Sequence, residues 1–144
     1  MYELQLQKHF PISPSELFAV WRDPEWIRRW FAPGALTVPE ADVDFREGGK
    51  YRIVMQSPDH EQFIVSGTYL QIVEGEQLRF SWQWEGSPVV TEVTLLFTSD
   101  SNGCKLDLTH RQFPDVELRD KHEDGWNGCL AKLTDLVQTE GCRS

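Results

Sequence analysis

The spacing of apolar residues changes period twice along the chain, and this pattern constrains the fold more than any other feature. Residues 2–10 alternate between apolar and polar side chains, which predicts a half-buried β-strand. Residues 17–31 place apolar side chains at helical spacing and are interrupted by Asp23 and Pro24, which predicts two short helices. Over residues 38–111 the alternation returns in six runs separated by tight turns, which predicts an antiparallel meander.

The last part of the chain returns to helical spacing. Trp126, Leu130 and Leu133 belong to an apolar stripe that predicts one long helix, which Asp115 can cap and which ends at Glu140-Gly141. The element order is therefore β-αα-β6-α, and the predicted class is α+β. We expect a curved antiparallel sheet wrapped around the C-terminal helix, with these three side chains buried between them.

Composition excludes several classes of function. The 144 residues carry a formal net charge of −9 and no basic cluster, so we expect no nucleic-acid partner. No apolar run is long enough to span a bilayer, and the N-terminal residues contain no signal-peptide core, so we expect a cytoplasmic protein without a membrane partner. The three cysteines (Cys104, Cys129 and Cys142) and the four histidines show no metal-ligand spacing, so no metal and no other cofactor are expected.

Short strings along nearly the whole chain carry a family resemblance. They are Phe10-Pro11, Leu17-Phe18, Trp21, Trp30-Phe31 with Pro33, Asp44-Phe45-Arg46 before Gly48-Gly49, Gly67-Thr68-Tyr69, Phe80-Ser81-Trp82, Leu108-Thr109-His110 before Phe113-Pro114, and His122-Glu123-Asp124-Gly125-Trp126. In this order they resemble the START-like superfamily (SRPBCC, helix-grip or polyketide-cyclase fold), and within it the AHSA-type branch related to the activator of the 90-kDa heat-shock protein ATPase. The resemblance implies a single helix-grip domain over residues 1–144, with an internal apolar cavity between the sheet and the C-terminal helix.

The inward-facing aromatic residues agree with such a cavity. Aromatic residues make up 12% of the chain and include six tryptophans, and one helix cannot bury every inward ring of a sheet this size. The alternative, in which the rings only fill the core, stays open at this point. The predicted ligand-binding residues are Trp30, Phe31, Tyr51, Phe63, Tyr69, Trp82, Trp84, His110 and Trp126.

Two histidines are candidates for chemistry. His110 shares the strand phase of Leu108, so its ring is predicted to face the concave side, either as a general acid or base or as a hydrogen-bonded core residue. His122, near the start of the last helix, is interpreted as a packing or capping residue rather than as a polar group at the cavity mouth. Gly125 and Gly128 are interpreted as positions of close packing between helix and sheet, with room preserved for a ligand as the alternative.

Three functions follow from these observations. The leading hypothesis is a module that binds a small apolar ligand, whose polar end is oriented by His110 with Tyr51 or Tyr69. The second is an enzyme of cyclase, aromatase or dehydratase type, which superfamily relatives imply; the chain has no paired acid–base motif, so we lean towards no enzymatic activity. The third is a co-chaperone-like partner of a heat-shock ATPase, which we rank last. A homodimer remains open.

Overall fold

The computed structural model of the chain describes residues 1–32, 34–101 and 103–139. These ranges contain seven strands and three helices in the order β-αα-β6-α, as the sequence predicts. The elements are β1 (Tyr2–Phe10), α1 (Pro14–Arg22), α2 (Pro24–Trp30), β2 (Thr37–Val43), β3 (Lys50–Gln56), β4 (Gln62–Val73), β5 (Gln77–Trp84), β6 (Thr91–Asp100), β7 (Gly103–Phe113) and α3 (Val116–Thr139). Pro33 of the family strings, the predicted helix end at Glu140-Gly141 and Cys142 lie outside the described residues.

The strands form one curved antiparallel sheet in the order β1-β7-β6-β5-β4-β3-β2. The six strands after the helices are a meander, since each pairs with the next, and the last of them returns to pair with β1. In the register of β6 with β7, Val93 lies opposite His110. The α+β helix-grip architecture is therefore confirmed.

The two short helices are capped at their N-termini by side chains. Ser13 and Glu16 form a reciprocal capping box at the start of α1, and the Asp23 carboxylate caps α2. Trp30, at the end of α2, donates its indole N–H to the carbonyl oxygen of Val20 at 3.0 Å, which joins the two helices. The two helices together can close one end of the space under the sheet.

The long helix α3 covers only part of the concave face. Asp115 caps it by accepting a 2.7 Å hydrogen bond from the backbone N–H of Leu118. On the side of α3 that faces the sheet, Trp126, Leu130 and Leu133 are buried, as predicted. The helix packs against β1, β7 and α2, so its backbone does not lie over the middle strands of the sheet. In the described part of the chain, no helix combines the length and hydrophobicity of a membrane-spanning segment.

Candidate functional site

A large apolar cavity lies between α3 and strands β3, β4 and β5. Its volume is about 520 Å³, which is within the usual range for sites that enclose a small molecule. The cavity exists because α3 packs towards β1 and β7 and leaves the middle of the concave face open. The lining residues are Phe31, Leu36, Met55, Phe63, Trp82, Trp84, Leu118, Lys121, His122, Gly125, Trp126 and Cys129.

One face of α3 supplies half of this lining. These residues are Leu118, Lys121, His122, Gly125, Trp126 and Cys129, in which steps of three residues and of one residue alternate, so that they share one helical face. At a rise of 1.5 Å per residue, the stripe runs for about 16 Å along the helix. Phe63 and Lys121 are the exposed members of the lining. The cavity therefore runs along α3 and opens between the first turns of this helix and the start of β4.

Five of the nine residues predicted to bind a ligand line this cavity. They are Phe31, Phe63, Trp82, Trp84 and Trp126. The other four, which lie instead in the packed core, are Trp30, Tyr51, Tyr69 and His110. Burial raises the pKa of the Tyr51 and Tyr69 phenols, so both remain neutral. Tyr69 packs edge-on against Phe45, with ring centroids 4.9 Å apart.

Tyr51 and Trp30 are each used in a structural contact. Tyr51 donates its hydroxyl proton to the carbonyl oxygen of Ser81 at 2.6 Å, and its ring lies over Gly67. A Cβ at Gly67 would stand 2.7 Å from that ring and 2.0 Å from the Ser81 oxygen, so only glycine fits there. Trp30 packs against Trp21, with centroids 4.5 Å apart. Neither side chain is available to a ligand in the cavity.

His110 is a core histidine with no accessible surface. Its Nδ1 accepts the indole N–H of Trp126 at 3.0 Å, so the ring proton lies on Nε2 and is donated to the Thr91 hydroxyl oxygen at 2.7 Å. Thr91 donates its own proton to the carbonyl oxygen of Trp82. Burial, with a smaller contribution from nearby His122, lowers the pKa of His110 to about 2. His110 therefore cannot serve as the acid or base of a reaction in the cavity.

His122 lines the cavity and also fixes its wall. Its Nδ1–H donates to the carbonyl oxygen of Leu118 at 2.9 Å, and its Nε2 accepts the indole N–H of Trp84 at 2.9 Å. Burial lowers the pKa of this imidazole, which favours the neutral form that these two bonds require. The packing role expected from the sequence is present, and the ring is at the same time part of the cavity surface.

The structure contradicts the expectation of close packing at Gly125. A Cβ built on Gly125 meets no atom within 4 Å, so the interpretation of close packing at this position is wrong. The residue lies in the middle of the α3 stripe that faces the cavity. Its lack of a side chain preserves space between the helix and the sheet.

Several lining residues were not singled out from the sequence. They are Leu36, Met55, Leu118, Lys121 and Cys129. The α3 members share helical spacing with Trp126, which was the available signal, whereas Leu36 lies outside any periodic segment. Burial raises the pKa of the Cys129 thiol to about 12, so it remains protonated and unreactive. No cluster of three or more potential metal ligands occurs among the described residues.

The fold is similar to solved structures from several bacteria. An AHSA1 protein from Silicibacter pomeroyi superposes with a TM-score of 0.88 at 28% identity, covering 96% of this chain and 99% of that one. A protein from Chromobacterium violaceum gives a TM-score of 0.89 at 22% identity, with 95% and 98% covered. An AHSA1-like protein from Aeromonas hydrophila gives 0.82 at 21% identity, with 99% and 96% covered.

Comparison with curated proteins finds no match. Comparison with family models does find one, and it agrees with the structural similarity. The model of the family described as activator of Hsp90 ATPase homolog 1-like protein matches residues 11–138, which include both short helices, the six-stranded meander and most of α3. The chain belongs to the AHSA1-like family, with the helix-grip fold of its AHSA-type branch.

Proposed function

We propose that this protein binds a small hydrophobic or aromatic ligand in the cavity between the sheet and α3. The observation that carries the proposal is an apolar space of about 520 Å³ beneath a helix that belongs to a helix-grip fold. A cavity of this size and polarity can enclose most of the surface of a small molecule. Members of this fold family commonly bind hydrophobic ligands, which supports the same interpretation.

The aromatic part of the wall is already organised for binding. The rings of Phe31, Trp82 and Trp126 contact one another, with centroids between 5.2 and 5.9 Å apart. The Trp84 indole is held by its hydrogen bond to His122. Rings fixed in this way lose little conformational freedom when a ligand arrives, so their contact area contributes to affinity at low entropic cost.

A substitution that fills the cavity tests the proposal. Gly125→Leu should abolish binding of the neutral fluorescent probe N-phenyl-1-naphthylamine, because the new side chain projects into the space where a Cβ meets nothing. The control is Ala131→Leu, which introduces the same side chain at an exposed position of α3. Probe fluorescence and quenching of tryptophan emission report binding. If the probe binds equally well to Gly125→Leu and to the wild-type protein, the cavity is not its site.

Ligand binding ranks above the cyclase-type alternative for a structural reason. The one histidine considered for catalysis, His110, is neutral and uses both ring nitrogens in the core. The heat-shock ATPase alternative rests on the family name. We also propose a cytoplasmic location, supported by the two described cysteines, Cys104 and Cys129, which are buried free thiols of the kind that a reducing compartment maintains.

A further inference from the structure

We propose that the ligand is an amphipathic anion: its apolar body fills the cavity and its single acidic group, a carboxylate or a similar oxyanion, pairs with Lys121. The inference rests on the proposed function and specifies the chemical class of the ligand. It depends on where polar groups remain available in an otherwise apolar wall.

Lys121 is the charged member of the cavity lining. It is exposed at the opening, and within the described part of the chain its ammonium group makes no ion pair. Its methylene groups can cover the apolar lining while the ammonium stays near water, as long cationic side chains commonly do. An acidic group on a bound molecule would therefore meet an unpaired cation at the point where the cavity meets solvent.

The other polar side-chain groups of the wall, apart from the Trp82 indole N–H, are already engaged or uncharged. The His122 nitrogens and the Trp84 indole N–H bond within the protein, and the Trp126 indole N–H bonds to His110. The Trp82 indole N–H has no partner in the described residues, but it is buried beneath the surface. The Cys129 thiol is protonated. Lys121 is thus the group best able to fix the polar end of a ligand.

The position of Lys121 also sets the orientation of the ligand. Cys129 lies eight residues further along α3, which corresponds to about 12 Å of helix. The acidic group would lie at the opening, and the apolar body would extend inward past Gly125 towards Cys129. Asp120 and Asp124 neighbour Lys121 in sequence but do not line the cavity. Because the protein carries a net charge of −9, a small anion without an apolar body should not bind.

A matched pair of probes tests this inference. We would titrate the full chain with the anion 1-anilinonaphthalene-8-sulfonate and with N-phenyl-1-naphthylamine, which has the same ring system without the sulfonate. Lys121→Met should weaken binding of the anionic probe about two- to fivefold and leave binding of the neutral probe unchanged. The control, Lys105→Met, removes the same charge from β7 outside the cavity and should change neither affinity.

Displacement of the neutral probe supplies a second measurement. Dodecanoate should displace it from the wild-type protein more strongly than dodecanol does, and Lys121→Met should remove this difference. Equal displacement by the two compounds, or equal loss of both probes in Lys121→Met, would overturn the assignment to an anion while leaving the binding function intact. If neither probe binds the wild-type protein, the proposed function fails and this inference fails with it.

Discussion

Trp126 of α3 donates its indole N–H to Nδ1 of His110 of β7 at 3.0 Å, and this hydrogen bond joins the long helix to the buried face of the sheet. The same tryptophan ring forms part of the cavity wall. On the other side of the ring, His110 bonds to the Thr91 hydroxyl, which in turn donates to the carbonyl oxygen of Trp82, another residue of the wall. Cavity shape and helix docking therefore depend on one hydrogen-bonded chain.

Removing the donor of this chain should destabilise the fold. Trp126→Phe keeps an aromatic ring but leaves a buried nitrogen of His110 without a partner, so we expect a loss of about 1–3 kcal/mol in the free energy of unfolding. Trp126→Ala also removes the ring and should cost about 3–5 kcal/mol. Urea denaturation measures both losses. Trp26→Phe, at a partly buried position of α2, is the control; equal stability of Trp126→Phe and this control would contradict the role of the bond.

The buried neutral state of His110 makes stability depend on pH. Its pKa is lowered from 6.5 to about 2, so the unfolded chain binds a proton more readily than the folded one. The free energy of unfolding should be highest above pH 6.5 and should fall as pH decreases below it, with this group contributing about 2 kcal/mol of loss near pH 5. Denaturation at several pH values measures the slope.

One substitution distinguishes His110 from other titrating groups. His110→Gln removes the titration and should flatten the pH dependence below 6.5, although it also lowers stability at neutral pH. If the free energy of unfolding of His110→Gln falls with pH as steeply as that of the wild-type protein, other residues cause the pH dependence.

Two glycines should respond in opposite ways to alanine. Gly125→Ala should raise the free energy of unfolding by about 0.5–1 kcal/mol, because alanine favours the helix and its Cβ enters open space. Gly67→Ala should lower it by several kcal/mol, because its Cβ would overlap the Ser81 carbonyl oxygen and press on Tyr51. Thermal unfolding compares the two variants. A neutral Gly67→Ala would show that the sheet can move apart at this position.

The architecture could be predicted from the sequence because it depends on local periodicity. Alternation and helical spacing determine which residues face the interior, and the inward orientation of His110 followed from that phase. The alternation of inward and outward side chains does not determine over which strands α3 lies. Because α3 docks towards β1 and β7, Trp82 and Trp84 reach the cavity while Tyr51, on the same concave side, is packed in the core.

Residues of the site outside the aromatic pattern required the three-dimensional structure. Leu36 precedes β2 in a segment without periodicity, so nothing in its neighbourhood indicates that it meets α3 across the cavity. Gly125 carries an ambiguous signal, because a glycine within a helix is equally consistent with close packing and with open space. Only the docked position of the helix distinguishes these two interpretations.

The hydrogen bond from Trp84 to His122 should break in acid. A proton on Nε2 of His122 converts the acceptor into a donor, and the Trp84 indole N–H then loses its partner. Burial lowers the pKa of His122, so the change should occur below pH 6.5, and it adds to the acid loss of stability expected from His110. Nitrogen-15 NMR should detect it as a shift of the Trp84 indole signal as pH falls.

The indole signal of Trp30 provides the control for this titration, since its N–H donates to a backbone carbonyl oxygen that does not titrate. Affinity for the neutral probe should fall together with the Trp84 shift, because the released ring no longer holds the cavity wall in place. In His122→Phe, both the shift and the acid loss of affinity should disappear. If the Trp84 signal moves with pH in that variant as it does in the wild-type protein, another group controls the position of this ring.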